Sequence, residues 1–153
     1  MVVIGTEATI ASGAYTRALR ALRPEIEIYT RPCPLLVPLA EEGWLEGPIP
    51  RAVVDTYLAT LTKSGIDALV LGCTHYPLLK PVIAEAMGPE VTLVDSAEET
   101  ARAVAAVLTE RGLARESGTG STSFFVTDVP DRFIHVGERF LGSRVHSAVR
   151  VER

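Results

Sequence analysis

Long apolar runs, basic clusters and paired cysteines are what this chain of 153 residues has least of. No run reaches the roughly 18 apolar residues that a helix needs to cross a bilayer core, and Met1-Val2-Val3-Ile4 is too short and uncharged to open a secretory signal. The expectation is a soluble, cytoplasmic protein with no membrane partner. Its 15 Lys and Arg residues are interspersed among 19 Asp and Glu, for a net charge of −4, and no basic stripe could follow a phosphate backbone. Nucleic acid is therefore not the expected partner. There is no Gly-x-Gly-x-x-Gly or P-loop pattern, no Cys-x-x-Cys, and His75, His135 and His146 are widely spaced. Neither a nucleotide cofactor nor a metal is expected. The only cysteines, Cys33 and Cys73, read as free thiols in a reducing compartment.

What the chain does have is aliphatic bulk. It is 47% hydrophobic but only 6% aromatic, which suits a well-buried sheet and one good core. The stretch around which the rest is organised is Gly65 to Lys80. Ala68–Leu71 reads as a buried strand that runs through Gly72 into a thiol, a hydroxyl and an imidazole at Cys73, Thr74 and His75, and then into a Pro-started helix from Pro77 to Met87. In α/β sheets the carboxyl ends of strands face the ligand crevice.

Around it, apolar periodicity predicts a strand at Val2 to Ile4, a helix from Ala8 to Leu22 and a half-exposed strand from Glu25 to Tyr29 broken at Arg31-Pro32. A short helix is expected from Leu35 to Glu42, then an irregular loop from Gly43 to Pro50 and an amphipathic helix from Arg51 to Lys63. Val91 to Val94 reads as a strand. Ser96 and Glu99 have capping-box spacing at the start of a helix that runs to Gly112. A Gly/Ser/Thr-rich linker follows, and beyond it Phe124 to Val151 reads as a small β-α-β tail with too little apolar mass to fold alone.

Cys73 alone could be a small buried hydrophobe. A helix start just downstream and an imidazole two residues on would instead favour its thiolate, a base or nucleophile. Residues i and i+2 do not face one another in regular structure, so a Cys73–His75 contact has to be made in the turn. Thr74 could cap the following helix or, with neighbouring N–H groups, hold a carboxylate. Gly5-Thr6-Glu7-Ala8-Thr9 repeats that arrangement at the end of the first strand. Cys33, between two prolines and with no histidine or helix start beside it, reads as structural.

The run Val70-Leu71-Gly72-Cys73-Thr74-His75-Tyr76-Pro77-Leu78-Leu79, with Ile4-Gly5-Thr6, Ser12-Gly13-Ala14-Tyr15, Cys33-Pro34-Leu35 and Val94-Asp95-Ser96, resembles the glutamate racemases of the aspartate/glutamate racemase superfamily. The resemblance implies interconversion of L- and D-glutamate by two cysteines on opposite faces of the α-carbon, without a cofactor, supplying D-glutamate for peptidoglycan. Carried over by motif, Cys73 and His75 are the catalytic pair, and Thr74 and Thr6 bind the substrate. The family's Cys-Asn-Thr, Asp-Ser-Gly and Pro-Tyr-Gly motifs are absent here in their context. The implied organisation is a second α/β, parallel-sheet, three-layer domain over 1–113, a linker over 114–122, and at 123–153 the tail of a first, incomplete α/β domain. The implied partner is a missing N-terminal half or a second copy. An aspartate or hydantoin racemase half and a non-catalytic module that binds an amino acid or a partner are the competing readings.

Overall fold

The computed structural model describes residues 1–62 and 64–152. The helix end expected at Lys63 and the domain limit expected at Arg153 lie outside the described residues. The chain divides into two compact units, Met1–Val107 and Leu108–Arg153.

The first unit is built on an entirely parallel sheet of β1 (Val2–Gly5), β2 (Tyr29–Pro32), β3 (Ala68–Leu71) and β4 (Thr92–Asp95), in the order β2-β1-β3-β4. The two central strands read as unbroken apolar runs because both of their faces are covered. Val2, Val3, Ile4, Leu69 and Leu71 are all buried. Helices α3 (Leu36–Glu42), α4 (Pro48–Leu58) and α5 (Lys80–Met87) contribute Leu36, Leu58 and Ile83 to the same core. Each such side chain stabilises the fold by about 1.5–3 kcal/mol when fully removed from water.

Several expected boundaries move, each for a local reason. The single helix expected over Ala8 to Leu22 is two, α1 (Glu7–Ala11) and α2 (Ala14–Leu22). Gly13 takes the left-handed φ of 63°, while the Ser12 hydroxyl donates to the Thr9 carbonyl and accepts from the Ala14 N–H. The strand expected over Glu25 to Tyr29 lies instead at Tyr29–Pro32, whose residues pair in parallel with Val2 to Gly5. Pro32 is tolerated there because β2 is an edge strand. Helix α4 starts earlier than expected, at Pro48, since prolines in a first turn give up N–H groups that have no helical partner.

The helix expected from Pro77 splits into a 3₁₀ turn (Tyr76–Leu79) and α5, at the point where Pro81 can donate no hydrogen bond. At the start of α6 (Ser96–Glu110) the cap is Asp95, whose Oδ1 accepts the Ala97 N–H at 2.9 Å, and Glu99 pairs with Arg102 rather than closing a box with Ser96.

The second unit holds α7 (Pro130–Leu141) and a two-stranded parallel sheet of β5 (Phe125–Val126) and β6 (Val149–Arg150). Phe124 packs on Phe133 with ring centroids 5.6 Å apart, and Val145 is buried. Phe125, Leu141 and Val149 remain more than half exposed. Among the described residues, no helix is long and apolar enough to cross a membrane.

Candidate active site

The strand order reverses between β1 and β3, so the crevice beyond their carboxyl ends is the topological switch point of the sheet. Ile4 pairs with Leu71, and the Gly72 N–H donates to the Ile4 carbonyl at 2.8 Å, so Gly5-Thr6 and Gly72-Cys73 leave the sheet side by side. A Cβ at position 72 would stand 2.6 Å from the Ile4 carbonyl oxygen and 3.1 Å from the Tyr15 ring. No side chain fits at this seam.

Cys73 follows, half-buried. The turn is closed by the Tyr76 N–H donating to the Cys73 carbonyl and the Leu78 N–H to the His75 carbonyl. It thereby makes the contact that regular structure could not. His75 Nδ1 lies 3.9 Å from Cys73 Sγ and 3.4 Å from Thr74 Oγ1.

The other ring nitrogen, Nε2, is 3.3 Å from Glu41 Oε1. Glu41 sits in the last turn of α3, whose buried Leu36, Leu39 and Ala40 fix that helix in the core. The sequence reading did not single it out. Its one signal is an acidic residue directly following the buried face of a helix. A proton on Nε2 would face Glu41 and leave the Nδ1 lone pair toward the thiol, the arrangement by which a carboxylate orients an imidazole.

Thr74 is exposed, and residue 75 rather than 74 directly precedes the 3₁₀ turn. Thr6 caps α1: its Oγ1 accepts from the Thr9 N–H at 3.2 Å and lies 2.9 Å from Thr9 Oγ1. Backbone register thus brings Thr6 to the same end of the sheet as Cys73, Thr74 and His75.

Cys33 is elsewhere in both position and character. It is completely buried, its thiol donates to the Arg31 carbonyl at 3.6 Å, and burial pushes its pKa up to about 12, with Arg31 offsetting only part of the rise. Among the described residues no group of three or more His, Cys, Asp and Glu side chains converges as metal ligands would. The open clefts along Gly43–Pro50 and beside Arg51 and Glu85 are lined by none of Thr6, Cys73, Thr74 or His75.

Residues 1–104 match the family described as Asp/Glu/Hydantoin racemase. The chain is similar to a glutamate racemase of Geobacter metallireducens, 55% identical over 97% of this chain and 56% of the relative. It is likewise similar to one of Syntrophus aciditrophicus, 49% identical over 98% and 56%. Among solved structures, glutamate racemase from Francisella tularensis in complex with D-glutamate superposes with a TM-score of 0.88 at 37% identity, covering 99% of this chain and 57% of that one. The chain thus spans little more than half the length of the curated relatives it matches.

Proposed function

Since the chain belongs to the Asp/Glu/hydantoin racemase family, we propose that it is the Cys73-bearing half of a glutamate racemase, supplying D-glutamate for peptidoglycan, and hence for cell shape, in the cytoplasm. The observation that carries this reading is the Glu41–His75–Cys73 chain of contacts at the sheet's switch point. A thiolate at Cys73 takes the α-proton from one face of glutamate, or its thiol returns one there. His75 assists that transfer, oriented by Glu41. The Thr74 and Thr6 hydroxyls, with N–H groups at the two strand ends, hold the substrate carboxylate.

Inversion needs a second acid–base group on the opposite face. Cys33 cannot supply it, because it is fully buried and held as a neutral thiol. The second thiol comes from polypeptide outside these 153 residues, an N-terminal half or a second copy. In this reading residues 1–113 are the substrate domain, 114–122 a linker, and 123–153 the tail that completes the other α/β domain. The exposed Phe125, Leu141 and Val149 support a partner for that tail. Glutamate is favoured over aspartate or a hydantoin because the relatives at 55% and 49% identity are glutamate racemases.

The test is incorporation of deuterium from heavy water at the α-carbon of L- and D-glutamate. The chain alone should exchange the α-hydrogen of one enantiomer, and adding the N-terminal half of the Geobacter metallireducens relative should restore racemisation. Cys73→Ala should abolish both. Exchange that persists in Cys73→Ala, or no racemisation with the added half, would sink the proposal.

A further inference from the structure

The Cys33 backbone carbonyl accepts two hydrogen bonds. One comes from the Leu36 N–H at 3.1 Å, as the chain turns into α3. The other comes from the Tyr76 hydroxyl at 2.9 Å and is fully buried. The Cys33 N–H donates in turn to the Gly5 carbonyl at 2.8 Å, so this carbonyl is fixed to the carboxyl end of β1. Tyr76 is the largest fully buried side chain and directly follows His75. A single phenol therefore ties the turn that carries His75 to the entry of the helix that carries Glu41. Burial drives its pKa above the usual tyrosine range, so it stays a donor.

We propose that Tyr76 is a positioning residue, setting the separation of Glu41 and His75 through its hydrogen bond to the Cys33 carbonyl. The consequence rests on the reading of His75 as the group that assists Cys73. The geometry beneath it does not. Helix α3 packs into the core through Leu36 and Leu39, and the His75 turn is closed by its own backbone bonds. Apolar packing tolerates small slides of a helix, whereas a hydrogen bond at 2.9 Å weakens steeply with distance and angle. One such bond adds a direction to a packing that is otherwise apolar.

Tyr76→Phe removes the hydroxyl, keeps the ring and leaves the Cys33 carbonyl its bond from Leu36. The measurement is the ¹⁵N chemical shift of His75 Nε2 in the full chain at fixed pH, in a double-mutant cycle with Glu41→Gln. In the parent chain Glu41→Gln should move that resonance. In the Tyr76→Phe background the same substitution should move it by half as much or less, because the carboxylate already stands off the ring. An equal response in both backgrounds, even with a loss of stability in urea, would make the hydroxyl an ordinary core hydrogen bond and overturn the proposal. A Tyr76→Phe chain that fails to fold would overturn it too, by making the hydroxyl a requirement of the fold and not of the pair. Because the resonance is read without substrate, failure of the glutamate reading would leave this result standing.

Discussion

Glu41 Oε1 lies 3.3 Å from His75 Nε2, joining the last turn of α3 to the turn that leaves β3. In the proposed reaction this carboxylate holds the imidazole so that Nδ1 faces Cys73. Glu41→Gln should slow α-hydrogen exchange of glutamate by roughly 10- to 100-fold, within the range of general acid–base assistance. His75→Asn should do the same, and the double variant should be little slower than either single one, since both act on one transfer. Deuterium incorporation followed by mass spectrometry reads all three.

The two thiols should separate chemically. At pH 8 in the folded chain, iodoacetamide should modify half-buried Cys73 and spare Cys33, whose thiol is fully buried and kept neutral. Both should react in urea. Peptide mapping gives the sites, and rapid labelling of Cys33 in the folded chain would contradict its burial.

Alkaline stability follows from the same burial. Cys33 ionises around its ordinary 9.0 in the unfolded chain and around 12 in the folded one. Through that window the unfolded chain has lost a proton that the folded chain keeps, so folding stability falls as pH rises, by about 1.4 kcal/mol per pH unit from this group, and is unaffected below it. Tyr76, raised by burial as well, adds a loss of the same sign above its ordinary 10.0. Urea titrations at pH 8 and pH 10.5 should show a lower midpoint at the higher pH, and Cys33→Ala should flatten part of the difference.

Gly72→Ala should destabilise the chain by about 1–3 kcal/mol, the usual cost of forcing atoms into filled space. Its Cβ would meet the Ile4 carbonyl oxygen, a backbone atom of a central strand that cannot swing aside. Gly13→Ala should cost about 1–2 kcal/mol for a different reason, the left-handed φ of 63° between α1 and α2. Urea unfolding of each variant gives both values.

How much of this could be read from the residues alone depended on range. The strand at Ala68–Leu71 and the thiol–hydroxyl–imidazole turn after it were legible because a buried parallel strand writes itself as an apolar run that stops where chemistry begins. The break at Ser12-Gly13 was missed because helical periodicity survives a two-residue interruption, and only a positive φ and a serine bridge reveal it. Strand β2 was misplaced because alternation alone marks a half-exposed strand without saying which of its neighbouring residues take up the ladder, here Tyr29 to Pro32. Asp95 took the cap expected of Ser96 by being one residue earlier. Glu41 was overlooked for the deepest reason: its meaning comes from a contact with a distant turn, and its one local signal, following the buried face of a helix, is weak.

The placement of β1 beside β3 bears on how this chain can vary. Everything from α1 to α4 is an excursion that leaves the seam at Gly5 and returns to it at Gly72. The backbone bonds across that seam hold the two turns together without reference to what the excursion contains. Insertions in an exposed stretch of it, such as Trp44 to Gly47, can therefore reshape the approach to the crevice while Thr6 and Cys73 keep their mutual placement.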